Sequence, residues 1–182
     1  MNVRMLKKIV PAILFLLLQF GLTADETNPE RKDARFEISF LKDMIDHHSM
    51  AIEMAKLCEG RAIHSDLLIQ CQIMINDQTA EIQKMQGWLQ SWHGVTYEPK
   101  MKRKMQKEID KLAPTTGAEF EMMFLKMMIG HHAMAVEESS ECLQRSTHEE
   151  LKKLCAKIIK FQSMEIGMMQ GWLCEWYNVC PE

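Results

Sequence analysis

The sequence predicts an all-α protein, a four-helix bundle made of two repeated helical hairpins joined by a long connection. Three observations support this fold class. Beyond an N-terminal apolar run, no segment alternates apolar and polar residues with the period of a strand. Four long stretches carry apolar residues at helical spacing. Residues 120–178 also repeat residues 36–94 without a gap, and such repetition marks one supersecondary unit used twice.

Local signals bound the first hairpin. The first helix follows the Asn28-Pro29 pair, a cap and a first-turn proline, and runs to about Glu59. The second helix spans roughly residues 65–92 and stops at Gly94. Glycine favours this stop because it adopts the left-handed backbone conformation that closes a helix.

The second hairpin repeats these limits. Its helices begin after Thr116 and at Thr147, and each threonine precedes a glutamate by three residues, which is the capping-box pattern. We expect the helices to end near Leu143 and Asn178. Asn178 is the counterpart of the glycine that closes the first hairpin, and asparagine also tolerates the left-handed conformation.

Residues 95–119 join the two hairpins. Pro99 and Pro114 bound a short helix predicted over residues 101–112. The length of the connection allows it either to run along the bundle or to cross over one end. Residues 25–182 would then form one duplicated domain, a four-helix bundle in either arrangement.

The N-terminus predicts an export signal over residues 1–24. Three basic residues precede an apolar run at Ile9–Phe20, and a polar stretch follows. The run is too short for an ordinary membrane-spanning helix, although an uncleaved anchor is the alternative. We therefore expect a periplasmic or secreted protein with no stable membrane contact after cleavage.

All six cysteines follow the signal, where export permits disulfide bonds. Two cysteines in each hairpin straddle the predicted turn, and two more lie near the C-terminus. The favoured pairing is one disulfide per hairpin and one closing a short C-terminal loop; reduced thiolates binding a soft metal are the alternative. The pairs are Cys58–Cys71, Cys142–Cys155 and Cys174–Cys180.

Composition narrows the classes of partner. The chain of 182 residues has a formal net charge of −3, and residues 100–107 form its only notable basic run. Nucleic acid is therefore not an expected partner. No glycine-rich phosphate loop or Ser/His/Asp arrangement is visible, so the sequence does not predict an enzyme of either class. Seventeen methionines are the compositional anomaly.

A pair of histidines beside methionines occurs at the same place in each half. On a helical wheel, His47 and Met50 fall on one stripe, and the adjacent His48 points about a quarter turn away. His131 and His132 repeat the arrangement. Imidazole and thioether groups one turn apart form a chelating surface suited to a soft ion such as Cu(I) or Ag(I). Methionines that only fill the core are the alternative for part of this set.

The partner helices carry a second repeated pattern, Gln-x-x-Glu-Ile-x-x-Met-x-x-Trp-Leu. A glutamine and a glutamate on a largely apolar face need polar partners, which the facing histidines would supply. The carboxylates would orient an imidazole or bind the ion themselves, whereas a salt bridge at the bundle edge is the alternative. The residues with these accessory roles are Gln78, Glu81, Met85, Gln162, Glu165 and Met169. His64 and His148 lie at helix starts and are expected to be exposed, with an accessory ligand role as the open alternative, and the unrepeated His93 is expected to be incidental.

Both motifs, each present twice, resemble the bacterial family filed as domain of unknown function 305. The resemblance implies a ferritin-like helical bundle, and one branch of the family comprises exported copper-binding proteins of the CopM type. It implies metal roles for Met44, His47, His48, Met50, Met54, Met127, Met128, His131, His132 and Met134. The chain has Glu138 where the first copy has Met54, so the two halves are expected to differ in softness.

Three functions follow as hypotheses. The leading one is an exported protein that binds Cu(I), and also silver, for copper sequestration, transfer or resistance, together with other copper-handling proteins. A structural or partner-binding bundle without metal is the second. A ferritin-like di-metal oxidase is the third, although the chain lacks the Glu-x-x-His pairs of that chemistry.

Overall fold

A computed structural model describes residues 29–180, so the predicted signal at residues 1–24 lies outside it. The described chain forms five helices, which confirms the all-α class. They are α1 (Pro29–Lys56), α2 (Ser65–His93), α3 (Arg103–Leu112), α4 (Gly117–Arg145) and α5 (Glu149–Tyr177). No helix in this part of the chain is long and apolar enough to cross a membrane.

The two hairpins are α1–α2 and α4–α5. Helices α1 and α4 pack against each other, whereas α2 and α5 are joined by side chains: Gln70 Nε2 lies 2.7 Å from Glu165 Oε1, and Lys157 Nζ lies 3.0 Å from Glu81 Oε1. The N-terminal part of α1 contacts the residues just before α5. Helix α1 is therefore antiparallel to α4 as well as to α2.

The connection runs along the bundle, because α2 ends and α4 begins at opposite ends. Asp46 on α1 is buried and anchors it: the Tyr97 hydroxyl donates to both carboxylate oxygens at 3.0 Å, and the Lys100 amide donates at 2.8 Å. Helix α3 then packs on α1 and α4. One such crossover is the connectivity of ferritin-like bundles.

The predicted C-terminal ends of α2 and α5 are confirmed, whereas the predicted N-terminal caps of α4 and α5 are wrong. Gly94 and Asn178 close α2 and α5 with φ of 65° and 54°, as predicted. The capping boxes are wrong: Thr116 makes no side-chain cap hydrogen bond, and His148 rather than Thr147 precedes α5. A carboxylate from a neighbouring helix satisfies the amide groups at residues 147 and 148 instead, as described below.

Three disulfide bonds join the described cysteines, with the favoured pairings: Cys58–Cys71, Cys142–Cys155 and Cys174–Cys180. The first two each link the helices of one hairpin across its turn. No cysteine in the described chain is free, so thiolate metal ligation is not a feature of this state.

The buried apolar side chains form two clusters, one toward each end of the bundle. Between them every long helix contributes polar residues to one level. This central polar layer consists of His47, His48, Gln78, Glu81, His131, His132, Gln162 and Glu165.

Candidate metal centre

His47 and His131 meet where α1 and α4 cross. Their ring centroids are 3.5 Å apart with an interplanar angle of 30°. His47 Nε2 donates a hydrogen bond to the backbone carbonyl oxygen of His131 at 3.1 Å. Both side chains are buried, with 6% and 3% of their surface exposed. The repeat therefore brings one histidine from each half into direct contact in the core.

The second histidine of each pair points toward its own hairpin. His48 Nε2 lies 2.9 Å from Glu81 Oε2, with which it is hydrogen-bonded. His132 Nε2 lies 2.7 Å from Glu165 Oε2, but the two groups are not aligned for a hydrogen bond. The two glutamates thus lie against the imidazoles that their sequence positions suggested.

Several histidine nitrogens of the central layer have no hydrogen-bond partner. They are Nδ1 of His47 and His48 and both ring nitrogens of His131 and His132, all buried. An unpartnered buried polar atom costs about 1–3 kcal/mol. A fold that places such atoms together in both halves holds nitrogen lone pairs that an ion can use.

The environment keeps the stacked pair neutral. Burial, together with the neighbouring imidazoles of His48 and His132, lowers the pKa of His47 to about 3. Burial and the adjacent His47 hold the pKa of His131 well below its ordinary value of 6.5. Neutral imidazole is the form that binds a metal, so these rings need lose no proton to do so near neutral pH.

The methionines divide between the apolar clusters and the stacked pair. Met44 and Met85 lie in the cluster toward the start of α1, and Met54, Met128 and Met169 lie in the other. Met127 is partly buried and packs against that second cluster.

Met50, which also belongs to that second cluster, and Met134 share a cavity of about 250 Å³ with His47 and His131. Met134 is 49% exposed, so thioether groups extend from the protein surface to the buried rings. Met105 on α3 also lines this cavity. Sequence reasoning missed Met105 because it lies outside the repeat.

The remaining accessory residues lie close to these groups. Gln78 and Gln162 are buried, each with an unpartnered side-chain carbonyl oxygen, and they line a small crevice with Glu81 and Glu165. Glu138 is exposed at the rim of the methionine cavity, whereas its counterpart Met54 is buried. The two halves therefore present different donors at this position.

Sequence reasoning missed two buried glutamates, Glu37 and Glu121, which are counterparts in the repeat. Glu37 Oε1 accepts hydrogen bonds from the amides of Thr147 and His148 at 2.8 and 3.1 Å. Glu121 Oε1 accepts the equivalent bonds from the amides of Ile63 and His64 at 2.7 and 2.8 Å. Each carboxylate therefore caps a helix of the opposite hairpin. Their repetition in sequence was the available signal.

The exposure expected for His64 and His148 was wrong, and His93 is not incidental to the packing. His64 Nδ1 lies 2.6 Å from Glu121 Oε2, and His148 Nδ1 lies 2.7 Å from Glu37 Oε2, so neither ring is simply exposed. His93 is only 7% exposed, and its Nε2 lies 3.4 Å from Glu37 Oε2. The contacts of His64 and His148 depend on the approach of the two hairpins, which the sequence pattern does not give, whereas His93 meets Glu37 within the first hairpin.

Solved structures with the same fold include metal complexes. The chain is 34% identical to CopM in a silver-bound form, with a TM-score of 0.69 over 78% of this chain and 97% of that one. It is 33% identical to CopM in a Cu(I)-bound form, with a TM-score of 0.70 and the same coverage. CopM structures in Cu(II)-bound and apo forms are similar as well.

A further relative is a Streptomyces coelicolor protein of the same family, described as a candidate secreted protein. It is 25% identical, with a TM-score of 0.68 over 77% of this chain and 93% of that one. No curated protein sequence matches the chain. The family described as domain of unknown function (DUF305) matches residues 37–173. The chain therefore belongs to the DUF305 family.

Proposed function

We propose that this protein binds a soft monovalent ion, Cu(I) or Ag(I), in the bundle core beside His47 and His131. The stacked contact of these rings carries the proposal. It places buried imidazole nitrogens without hydrogen-bond partners next to a cavity whose lining includes three methionines among charged residues. Imidazole and thioether are ligands that copper accepts, and thioether selects for the monovalent state.

The methionine cavity supplies both donors and access. Met134 is half exposed and Met50 is buried, so the two side chains differ in their access to solvent. An ion can exchange thioether for imidazole ligands along this path and so enter without losing all its ligands at once. Thioethers do not protonate, and the lowered pKa values of His47 and His131 keep both rings neutral in mild acid, so the affinity should be retained there.

The relatives support this cargo and its location. CopM, about a third identical, has been crystallised with silver and with copper in two oxidation states. The Streptomyces relative and the predicted signal favour a periplasmic or secreted protein. We infer a role in copper sequestration, transfer or resistance outside the cytoplasm, with other copper-handling proteins as partners.

A competition titration tests the proposal. The purified chain and a His47→Ala, His131→Ala double variant compete for Cu(I) with a chromophoric Cu(I) chelator under nitrogen. We expect the double variant to lose at least about 100-fold in affinity, since loss of an outer hydrogen-bond partner alone costs a metal site about 10–100-fold. Met50→Leu with Met134→Leu nearly conserves volume and is expected to weaken binding while the fold persists.

The two alternatives give different results. If the double variant melts at a lower temperature but keeps the Cu(I) affinity of the natural chain, the histidines only fix helix register, and the structural bundle is the better account. His48 and His132 contact Glu81 and Glu165, and these contacts favour a role in fixing helix register for the second histidine of each pair. Iron oxidation with peroxide formation would favour the oxidase instead.

A further inference from the structure

A second cluster of potential ligands lies at the end of the bundle where α2 ends and α5 begins. It consists of Glu37, His93 and His148, and one donor atom from each lies within 4.8 Å of the others. The Glu37 carboxylate is fully buried, and both histidine rings face its Oε2 atom. These residues come from α1, α2 and the residue before α5, so the assembled bundle alone brings them together.

His93 gives an independent indication of a ligand. Its side chain is 93% buried, and Nε2 has no hydrogen-bond partner although it lies 3.4 Å from Glu37 Oε2. Buried polar side-chain atoms are nearly always hydrogen-bonded in native proteins. The Nε2 atom faces the carboxylate but makes no hydrogen bond to it. This is the arrangement expected of two groups that bind the same ion.

The other two groups are held in place by separate contacts. Glu37 Oε1 is taken by the start of α5, including Ser146 Oγ at 2.6 Å, which leaves Oε2 to face the histidines. Burial raises the pKa of Glu37, but the hydrogen bonds from Ser146 and from residues 147–148 outweigh it and lower that pKa to about 2. Trp92 stacks on the His148 ring at 3.9 Å and 2°.

The donor set defines the class of ion. Two imidazole nitrogens and one carboxylate oxygen, without a thioether, suit a divalent ion of borderline softness such as Zn²⁺ or Cu²⁺. Zn²⁺ binds such atoms at about 2.0–2.2 Å in a tetrahedral arrangement, and ligand atoms within 4.8 Å of one another can surround it with small movements. The three residues also line a surface cleft of about 440 Å³.

The opposite end of the bundle supplies an internal comparison. There Glu121 takes the place of Glu37, His64 that of His148, and Trp176 stacks on His64 at 3.8 Å and 7°. Tyr177 takes the place of His93, and its hydroxyl donates to Glu121 Oε2. The carboxylate at that end is thus satisfied by a phenol, and the second imidazole is missing.

We propose that Glu37, His93 and His148 bind one divalent cation, Zn²⁺ or Cu²⁺, at the end of the bundle. The site is separate from the core position proposed for Cu(I), and neither proposal depends on the other.

Zinc titration of the full chain tests the site. Zn²⁺ is added to the natural chain and to His93→Tyr in competition with a chromophoric chelator. The variant copies the residue found at the opposite end, so the fold already contains its geometry once. We expect it to lose one equivalent of Zn²⁺ or at least about 100-fold in affinity at this site, because loss of an outer hydrogen-bond partner alone costs a metal site about 10–100-fold. Equal titrations for the two proteins would overturn the proposal.

The reverse substitution sharpens the test. Tyr177→His restores the second imidazole beside Glu121 and His64, and we expect it to add one equivalent of Zn²⁺. If His93→Tyr does not fold, histidine-ring NMR of the natural chain decides. Less than one equivalent of Zn²⁺ should shift the ring resonances of His93 and His148 but not those of His64. Shifts confined to the core histidines would overturn the proposal.

The two proposals fail separately. His93→Tyr is expected to leave Cu(I) affinity unchanged, and His47→Ala with His131→Ala is expected to leave the His93-dependent Zn²⁺ equivalent in place. Cu²⁺ added in a parallel titration shows which of the two divalent ions the site prefers.

Discussion

Glu37 and Glu121 occupy the same position in the two halves, and each caps a helix of the opposite hairpin. Around them the halves differ in three side chains: His93 against Tyr177, Ser146 against Ala62 and Thr147 against Ile63. Both ends stack a histidine on a tryptophan and join it to the carboxylate. The shared cap joins the two hairpins, and His93 gives one end the additional metal ligand that we propose.

The caps should have the largest effect on stability. Glu37→Ala and Glu121→Ala each leave several part-buried donors without an acceptor, and we expect each to lower the free energy of unfolding by about 3 kcal/mol. Urea denaturation with the disulfides intact measures this. Amide hydrogen exchange should rise at residues 147–148 in the first variant and at residues 63–64 in the second. Exchange rising equally at both ends would contradict the idea of two local caps.

The second comparison concerns Asp46 and its counterpart Gly130. Only the first half has the carboxylate that binds the crossover connection through Tyr97 and Lys100. We expect Asp46→Ala to cost about 2 kcal/mol in the free energy of unfolding, because it leaves two donors without their acceptor. Urea denaturation measures the loss, and proteolysis should show the connection cut sooner.

Gly130→Ala is the matched control. Gly130 lies within α4, and a Cβ there would have no atom within 4 Å. Alanine should therefore stabilise the helix by about 1 kcal/mol. If Asp46→Ala proved neutral, the connection would be held by α3 rather than by this carboxylate.

The free energy of unfolding should depend on pH in a different range for the core histidines than for the capping glutamates. The pKa of His47 is about 3 in the folded protein and that of His131 is also low, whereas the ordinary value is 6.5. Between these values the unfolded chain binds more protons, so the free energy of unfolding of the metal-free protein falls as pH decreases. Each histidine contributes at most about 1.4 kcal/mol per pH unit.

The caps act in a lower range. Hydrogen bonds hold the pKa of Glu37 at about 2 against an ordinary value of 4.5, so its stabilisation is present above 4.5 and is lost as pH falls toward 2. Chemical denaturation of the metal-free chain at a series of pH values, beside His47→Gln, separates the two ranges. A curve flat from pH 6.5 to 5 would mean that the core histidines are not buried as neutral rings.

The sequence alone determined the helices, the hairpins and the disulfide pairs. Apolar spacing and the repeat report on residues that are close in the chain, and local backbone geometry largely determines the structure that such residues adopt. The repeat also singled out His47 and His131, because polar residues kept in both halves of an apolar helix face are unexpected. That they stack on each other depends on how α1 crosses α4.

Hydrogen-bond partners from different hairpins could be identified only from the three-dimensional structure. The prediction that Thr116 and Thr147 cap α4 and α5 was wrong because the groups that contact these helix starts come from the other hairpin. A glutamate from the other half supplies the acceptor for α5, and its approach is not encoded in any local pattern. The same holds for Met105, which reaches the core histidines because the connection runs along the bundle, and for His93, which has a role only where α1, α2 and the start of α5 converge. Neighbours along the chain fix helices, whereas sites depend on contacts between residues distant in sequence.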